Sequence, residues 1–127
     1  MIRARCLALL LLCAFLPSAL SASTVSGMIS RVTDGDTFRL VGVEQAIRIW
    51  GLDAPERNEI GGSRATETMR HLVEGQMVTC EVVDCDRYGR IVGQCFLPDG
   101  TDVAGEMIRL GVAREYCRYS RGYYRTC

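Results

Sequence analysis

Three short clusters hold most of the residues in this chain that can do chemistry. They are Asp34-Gly35-Asp36-Thr37, then Arg48-Ile49-Trp50-Gly51-Leu52-Asp53-Ala54-Pro55-Glu56, then Asp86-Arg87-Tyr88-Gly89-Arg90. Taken singly, each has an ordinary reading: a hairpin turn, a charged strand end and a solvated hairpin tip. Taken together, Asp36, Asp53 and Glu56 come from two strand ends and can converge on one hard cation. Oxygen-only ligation selects Ca²⁺ or Mg²⁺ over zinc or copper. Arg48 interrupts an otherwise apolar run, where a charge is costly unless paired. Beside a cation, Arg48 and Arg90 match a phosphate, because the planar guanidinium binds two oxygens at once. A carboxylate nearby can orient or deprotonate a water. These are the parts needed for phosphodiester hydrolysis by in-line water attack.

The rest of the inventory narrows the chemistry further. All 15 basic residues are arginine, which excludes Schiff-base lysine chemistry and a P-loop lysine. The single histidine, His71, leaves no room for multi-histidine metal sites, and its place on a predicted helix reads as surface or core edge. Fifteen acidic residues balance the arginines, which argues against attachment to nucleic acid by bulk charge. The balance is uneven along the chain. Residues 22–86 hold 6 basic and 11 acidic groups, whereas residues 87–127 hold 7 basic and 4 acidic.

Short elements must position these clusters. Thr24 to Val32 reads as a strand, Asp34-Gly35 as a hairpin turn, and Thr37 to Val41 as the returning strand. Ala46 to Leu52 reads as a third strand, and Asp53 to Gly62 as a loop. Ser63 is a candidate N-cap for a helix carrying Ala65, Met69, Leu72 and Val73 at helical spacing and ending at Gly75. Met77 to Asp84 and Ile91 to Leu97 read as two further strands. Asp102 can cap a second helix with Val103, Met107 and Leu110 on one face. Three strands, a helix, two strands and a helix predict a mainly β, α+β domain: a five-stranded OB-type Greek-key barrel with two to three short helices. Trp50, Phe38 and Phe96 are expected to fill it.

The first residues read as an address. Arg3 and Arg5 precede an apolar run from Cys6 to Leu16, and Ala19-Leu20-Ser21 supplies small residues for cleavage after Ser21. This is the layout of a secretory signal peptide over residues 1–21, and the run is shorter than the ~20 residues a membrane span takes. The expected mature domain is residues 22–127, secreted or periplasmic, without stable membrane association and monomeric. Five of the seven cysteines remain in it, in a compartment where disulfides form.

With the three clusters in this order on this pattern of elements, the chain resembles the staphylococcal nuclease-like (thermonuclease) family over roughly Val25 to Tyr119. The resemblance implies an OB-fold, Ca²⁺-dependent nuclease cleaving DNA, RNA or both and leaving 3′-phosphate products. It implies Asp36 and Asp53 as side-chain metal ligands and Ala54 as a ligand through its backbone carbonyl, at a position where the family often has Thr. It implies Glu56 to position or activate water, and Arg48 and Arg90 to hold the scissile phosphate. Arg87 and Tyr88 would contact the phosphate side of the nucleotide, and Tyr116 or Tyr119 would stack a base.

Family members usually continue into a long C-terminal helix, whereas this sequence stops at Cys127. A Cys117–Cys127 disulfide is expected to close the tail instead. Cys80 and Cys95 lie on adjacent predicted strands, nearly symmetric about Arg87-Tyr88, and are the natural cross-hairpin pair, with Cys85 left over. An inactive OB-type module that binds nucleic acid or another polyanion is the alternative, and a polysaccharide-associated or structural domain is a third reading.

Overall fold

A computed structural model describes residues 23–127; the expected signal peptide lies outside the described residues. In chain order the elements are β1 (Thr24–Asp34), β2 (Thr37–Leu40), β3 (Ile47–Ile49), β4 (Leu52–Asp53), α1 (Gly62–Val73), β5 (Met77–Cys85), β6 (Ile91–Phe96), α2 (Val103–Arg109), β7 (Arg114–Glu115) and α3 (Cys117–Ser120). Five strands close into a barrel in the order β1-β2-β3-β6-β5, with β5 returning to β1. The β3–β6 pairing is parallel and the others are antiparallel. The five-stranded barrel with short helices anticipated from the sequence is the one observed.

Alternation fills the barrel. Along β6 the residues Ile91, Gly93 and Cys95 point inward, and Phe38, Ile47, Ile49 and Val78 meet them with no exposed surface to speak of. Helix α1 covers one opening by burying Ala65, Thr66, Met69 and Val73, which recur one helical turn apart. A disulfide joins Cys80 and Cys95, which face one another on β5 and β6 and are both fully buried. The second disulfide joins Cys117 and Cys127, so Cys85 takes part in neither.

Four expectations need correction. The third strand does not run to Leu52: it stops at Ile49, the chain turns through Trp50 and Gly51 (φ 75°), and β4 pairs instead with β7 in a separate two-stranded sheet. Ser63 does not cap α1. The cap position is Gly61 in a left-handed conformation (φ 84°), and Ser63 lies inside the first turn. Leu110 does not join the buried face of α2: Val103, Ala104 and Met107 are buried, while Leu110, at the C-cap, is exposed. Trp50 and Phe96 are only half-buried. Trp50 packs outside the barrel on Tyr123 and Tyr124.

One close approach fixes where the first cluster sits. A Cβ added at Gly35, in the β1–β2 turn, would lie 2.7 Å from the Ala54 Cβ and 2.8 Å from the Ala65 Cβ. Only glycine lets that turn press against both the end of β4 and helix α1. A Gly35→Ala variant should therefore lose ~1–3 kcal/mol by overpacking, read as a lower urea midpoint with an unchanged denaturant slope. An unchanged midpoint would show that the neighbours give way freely.

Candidate functional site

The site is organised around Asp36, a carboxylate in the turn between β1 and β2 that is almost wholly buried. The Asp36 amide donates to Asp34 Oδ1 at 3.0 Å, and the Thr37 hydroxyl donates to Asp36 Oδ1 at 3.1 Å. Its other oxygen accepts the Ala54 amide at 3.0 Å, which places the carboxylate against the peptide joining Asp53 to Ala54. Arg48 approaches the same oxygen at 3.4 Å. Register explains this: Thr37 pairs with Arg48 across β2–β3, so residues on either side of the pair share one end of the barrel. Desolvation by burial pushes the Asp36 carboxyl up to about 6, and the Arg48 guanidinium recovers only part of that rise.

Beside Ala54, whose amide Asp36 accepts, lies a hollow of about 490 Å³ bordered by Asp53, Ala54, Pro55, Glu59 and residues 111–114. Arg114 reaches Asp53 at 3.4 Å across the β4–β7 pairing. Arg48, paired with Asp36, lines a cleft of about 760 Å³ whose walls include Arg87, Tyr88, Arg90, Tyr116, Arg118 and Tyr119. Arg90 is held there by Asp86, with Nε 2.6 Å from Oδ2 and its amide donating to Oδ1 at 3.0 Å. Tyr88 lies under both neighbouring guanidiniums, 4.9 Å from Arg87 and 5.3 Å from Arg90, and its hydroxyl accepts from Arg87 at 2.7 Å. The Tyr116 and Tyr119 rings stack at 4.8 Å.

The structure thus brings Arg48, Arg87, Tyr88, Arg90, Tyr116 and Tyr119 to one cleft, and Asp36 to Asp53 and Ala54 beside it. It does not bring Glu56 into the same contact. Glu56 is exposed on the loop after β4 and lines neither cavity. Among the described residues, Asp36, Asp53 and Glu56 do not bring their carboxylate oxygens within 4.8 Å of one another. There the one trio of His, Cys, Asp or Glu ligand atoms within 4.8 Å is Glu115, Cys117 and Cys127, whose sulfurs are joined to each other. The Asp36, Asp53 and Ala54 carbonyl set nevertheless fits a hard divalent cation. Its donors are all oxygen, and a desolvated carboxylate that one arginine compensates only partly gains from a further positive charge.

The tail contains what sequence reading missed. Glu115 is buried and accepts from the Ser120 hydroxyl, the Tyr124 amide (3.1 Å), and the Thr126 amide (3.0 Å) and hydroxyl (2.9 Å). The Tyr124 hydroxyl donates to Asp102 at 2.9 Å, while Asp102 also caps α2 through the Gly105 amide. The only advance signal was an acidic residue among four arginines and four tyrosines. The basic, tyrosine-rich tail is expected to meet a phosphate backbone, and Arg118, between Tyr116 and Tyr119, is the tail arginine that lines the cleft.

The family model described as staphylococcal nuclease homologue matches residues 46–126. The chain belongs to the staphylococcal nuclease family. It is 41% identical over 98 residues to an uncharacterized endonuclease of Escherichia coli, a match covering 76% of this chain and 64% of that one. It is 31% identical over 105 residues to the micrococcal nuclease of Shigella flexneri (75% and 60%). It is 31% identical over 115 residues to the succinoglycan biosynthesis protein ExoI of Rhizobium meliloti (82% and 59%). The chain therefore spans under two thirds of the length of these relatives.

The Glu115 hub carries a pH prediction. Burial alone would raise its carboxyl, but the hydrogen bonds from Ser120, Thr126 and Tyr124 outweigh burial and hold it down to about 2, against an ordinary value of 4.5. A carboxyl depressed in the folded state stabilises fully above its unfolded value and loses that contribution as pH falls through its folded value. Tail order should therefore weaken from about pH 4.5 toward about pH 2. The emission of Trp50, the one tryptophan, reports this through Tyr123 and Tyr124. A Glu115→Gln variant should show the weakened tail at neutral pH and lack the acid transition; an identical transition in that variant would assign it elsewhere.

Proposed function

We propose that this chain is an exported, metal-dependent nuclease that hydrolyses phosphodiester bonds of DNA, RNA or both. The observation that carries the reading is the buried Asp36 carboxylate, bonded to the Asp53–Ala54 peptide and facing Arg48 at the edge of a cleft walled by arginine and tyrosine. The nuclease descriptions of two relatives support it. Residues 22–127 are the mature domain, secreted or periplasmic and monomeric. Two disulfides among the described residues fit an oxidising compartment. No helix among the described residues is long and apolar enough to cross a membrane.

Asp36, Asp53 and the Ala54 carbonyl would hold the cation, which we take to be Ca²⁺. When bound it would supply positive charge to the phosphate oxygens. Arg48 and Arg90 grip the non-bridging oxygens of the scissile phosphate and stabilise the charge that develops as water adds to phosphorus. Asp86 fixes Arg90 in that role through its two contacts. Glu56 takes the proton of the attacking water as its oxygen bonds to phosphorus, the bond from phosphorus to the 5′ oxygen breaks, and the 5′ oxygen takes up a proton from solvent and leaves as an alcohol. The other product keeps a 3′-phosphate. Arg87 and Tyr88 hold the phosphate side of the nucleotide, and Tyr116 and Tyr119 offer a face for a base. A binding module without catalysis is the competing reading, favoured by the exposed position of Glu56 outside the cleft.

Purified residues 22–127 should cleave DNA or RNA with Ca²⁺ and not with chelator. Arg90→Ala should lower kcat by about 10²–10³-fold, the loss typical of one preorganised charge-stabilising donor, and Glu56→Gln by about 10²-fold or more. Ca²⁺ at a hundred times its dissociation constant should stabilise the wild type by about 2.7 kcal/mol, and should not do so in Asp36→Asn. Cleavage that survives chelator, or is undiminished in both catalytic variants, overturns the mechanism. A Ca²⁺-stabilised protein that binds oligonucleotide without cleaving it selects the binding-module reading.

A further inference from the structure

Arg118 stands apart from the other arginines of the cleft. Arg48 is paired with Asp36 and Arg90 with Asp86, while Arg87 donates to the Tyr88 hydroxyl. Arg118 lines the same cleft and is exposed, and no carboxylate among the described residues lies within ion-pair reach of it. Its guanidinium sits 5.9 Å above the Tyr119 ring, which orients it without neutralising it.

The base under it is firm. The Tyr116 amide donates to the Gly51 carbonyl at 2.8 Å, fastening the start of α3 to the turn that lines the cleft beside Arg48. The Ser120 hydroxyl ties the end of α3 to buried Glu115, and the Cys117–Cys127 disulfide closes the segment. An arginine without a counter-ion, presented by a pinned segment on the wall of an anion-binding cleft, has a free planar fork for two phosphate oxygens.

We propose that Arg118 binds a phosphate of the same nucleic-acid strand that flanks the scissile one, so that the cleft takes a strand of several nucleotides rather than a single diester. This rests on the nuclease reading above, in which Arg48 and Arg90 are committed to the scissile phosphate. Arg118, on a separate element, is left to engage a neighbour.

The test compares Arg118→Ala, Arg118→Lys and Arg109→Ala. Arg109 is exposed, pairs with Glu106 on α2 and does not line the cleft, so it controls for net charge. Binding of a fluorescent single-stranded oligonucleotide is followed by anisotropy in chelator, across a salt series. Arg118→Ala should weaken binding roughly five- to tenfold, as loss of one charge-assisted contact does. It should also make the log–log salt slope shallower by about 0.7. Arg118→Lys should recover the slope and part of the affinity, and Arg109→Ala should change neither. With Ca²⁺, KM for the oligonucleotide should rise in Arg118→Ala with kcat retained, while KM for a dinucleotide carrying one phosphodiester stays put. Equal losses in Arg118→Ala and Arg109→Ala overturn the proposal in favour of bulk charge. A KM rise shared by the dinucleotide, or a shifted Trp50 emission, overturns it by assigning Arg118 to the scissile phosphate or to the fold of the tail. If the wild type cleaves nothing, the hydrolytic reading fails while the anisotropy arm still decides Arg118.

Discussion

The contact on which the rest depends is the one between the Asp36 carboxylate and the Ala54 amide. It joins residues 18 apart in sequence and ties the β1–β2 turn to the end of β4. Because Gly35 leaves no space between that turn, Ala54 and Ala65, the same packing seats helix α1. The cleft arginine Arg48 is then placed by strand register, opposite Thr37 in β2 and alongside Val92 in β6. One buried carboxylate thus sets the relation between an oxygen-rich hollow and an arginine-rich cleft. Core burial holds the barrel shut, but only polar contacts of this kind fix which end of it becomes the site.

The tail extends the same logic to a second buried carboxylate. Glu115 does for residues 115–127 what Asp36 does for the turn: it gathers backbone and hydroxyl donors from the tail onto one buried acceptor. Four hydrogen bonds from Ser120, Tyr124 and Thr126 converge on it, and Tyr124 in turn reaches Asp102 at the start of α2. A four-residue helix cannot hold its shape on its own hydrogen bonds, since isolated helices under about a dozen residues are marginal. The carboxylate, the disulfide and the Trp50–Tyr123–Tyr124 cluster therefore supply what local propensity lacks. Arg118 and the stacked Tyr116–Tyr119 pair inherit their positions from that arrangement.

The barrel was legible because its signals are local and repeated. Alternating residues in β2 and β6, the Asp34-Gly35 turn and the capping Asp102 each point to one conformation. Misreadings fell where a long-range partner overrides local preference. The stretch Ala46 to Leu52 reads as one strand, yet Leu52 pairs with Glu115, 63 residues away, so the chain turns at Gly51 to reach it. Trp50 looks like core by composition, but its partners are two tyrosines at the far end of the chain. Ser63 is a good capping residue in the wrong place, because Gly61 makes the turn. The site was legible as three clusters of the right residue types, but not as a geometry. Nothing in the spacing of Asp53 and Glu56 reveals that one faces a hollow while the other faces solvent.

Placing an ionised carboxylate where Asp36 lies has a cost that the fold must carry. With its pKa raised from 3.8 to about 6, the group opposes folding fully above about pH 6 and not at all below 3.8. A shift of that size corresponds to about 3 kcal/mol, a large part of the 5–15 kcal/mol that separates folded from unfolded domains. The Cys80–Cys95 disulfide closes a loop of 15 residues across the two strands that complete the barrel, and a loop of that length contributes ~3 kcal/mol in the chain-entropy picture. The two quantities are of the same order and opposite sign. A domain of this size can therefore carry the under-compensated Asp36 carboxylate while β5 and β6 stay locked together elsewhere in the same barrel.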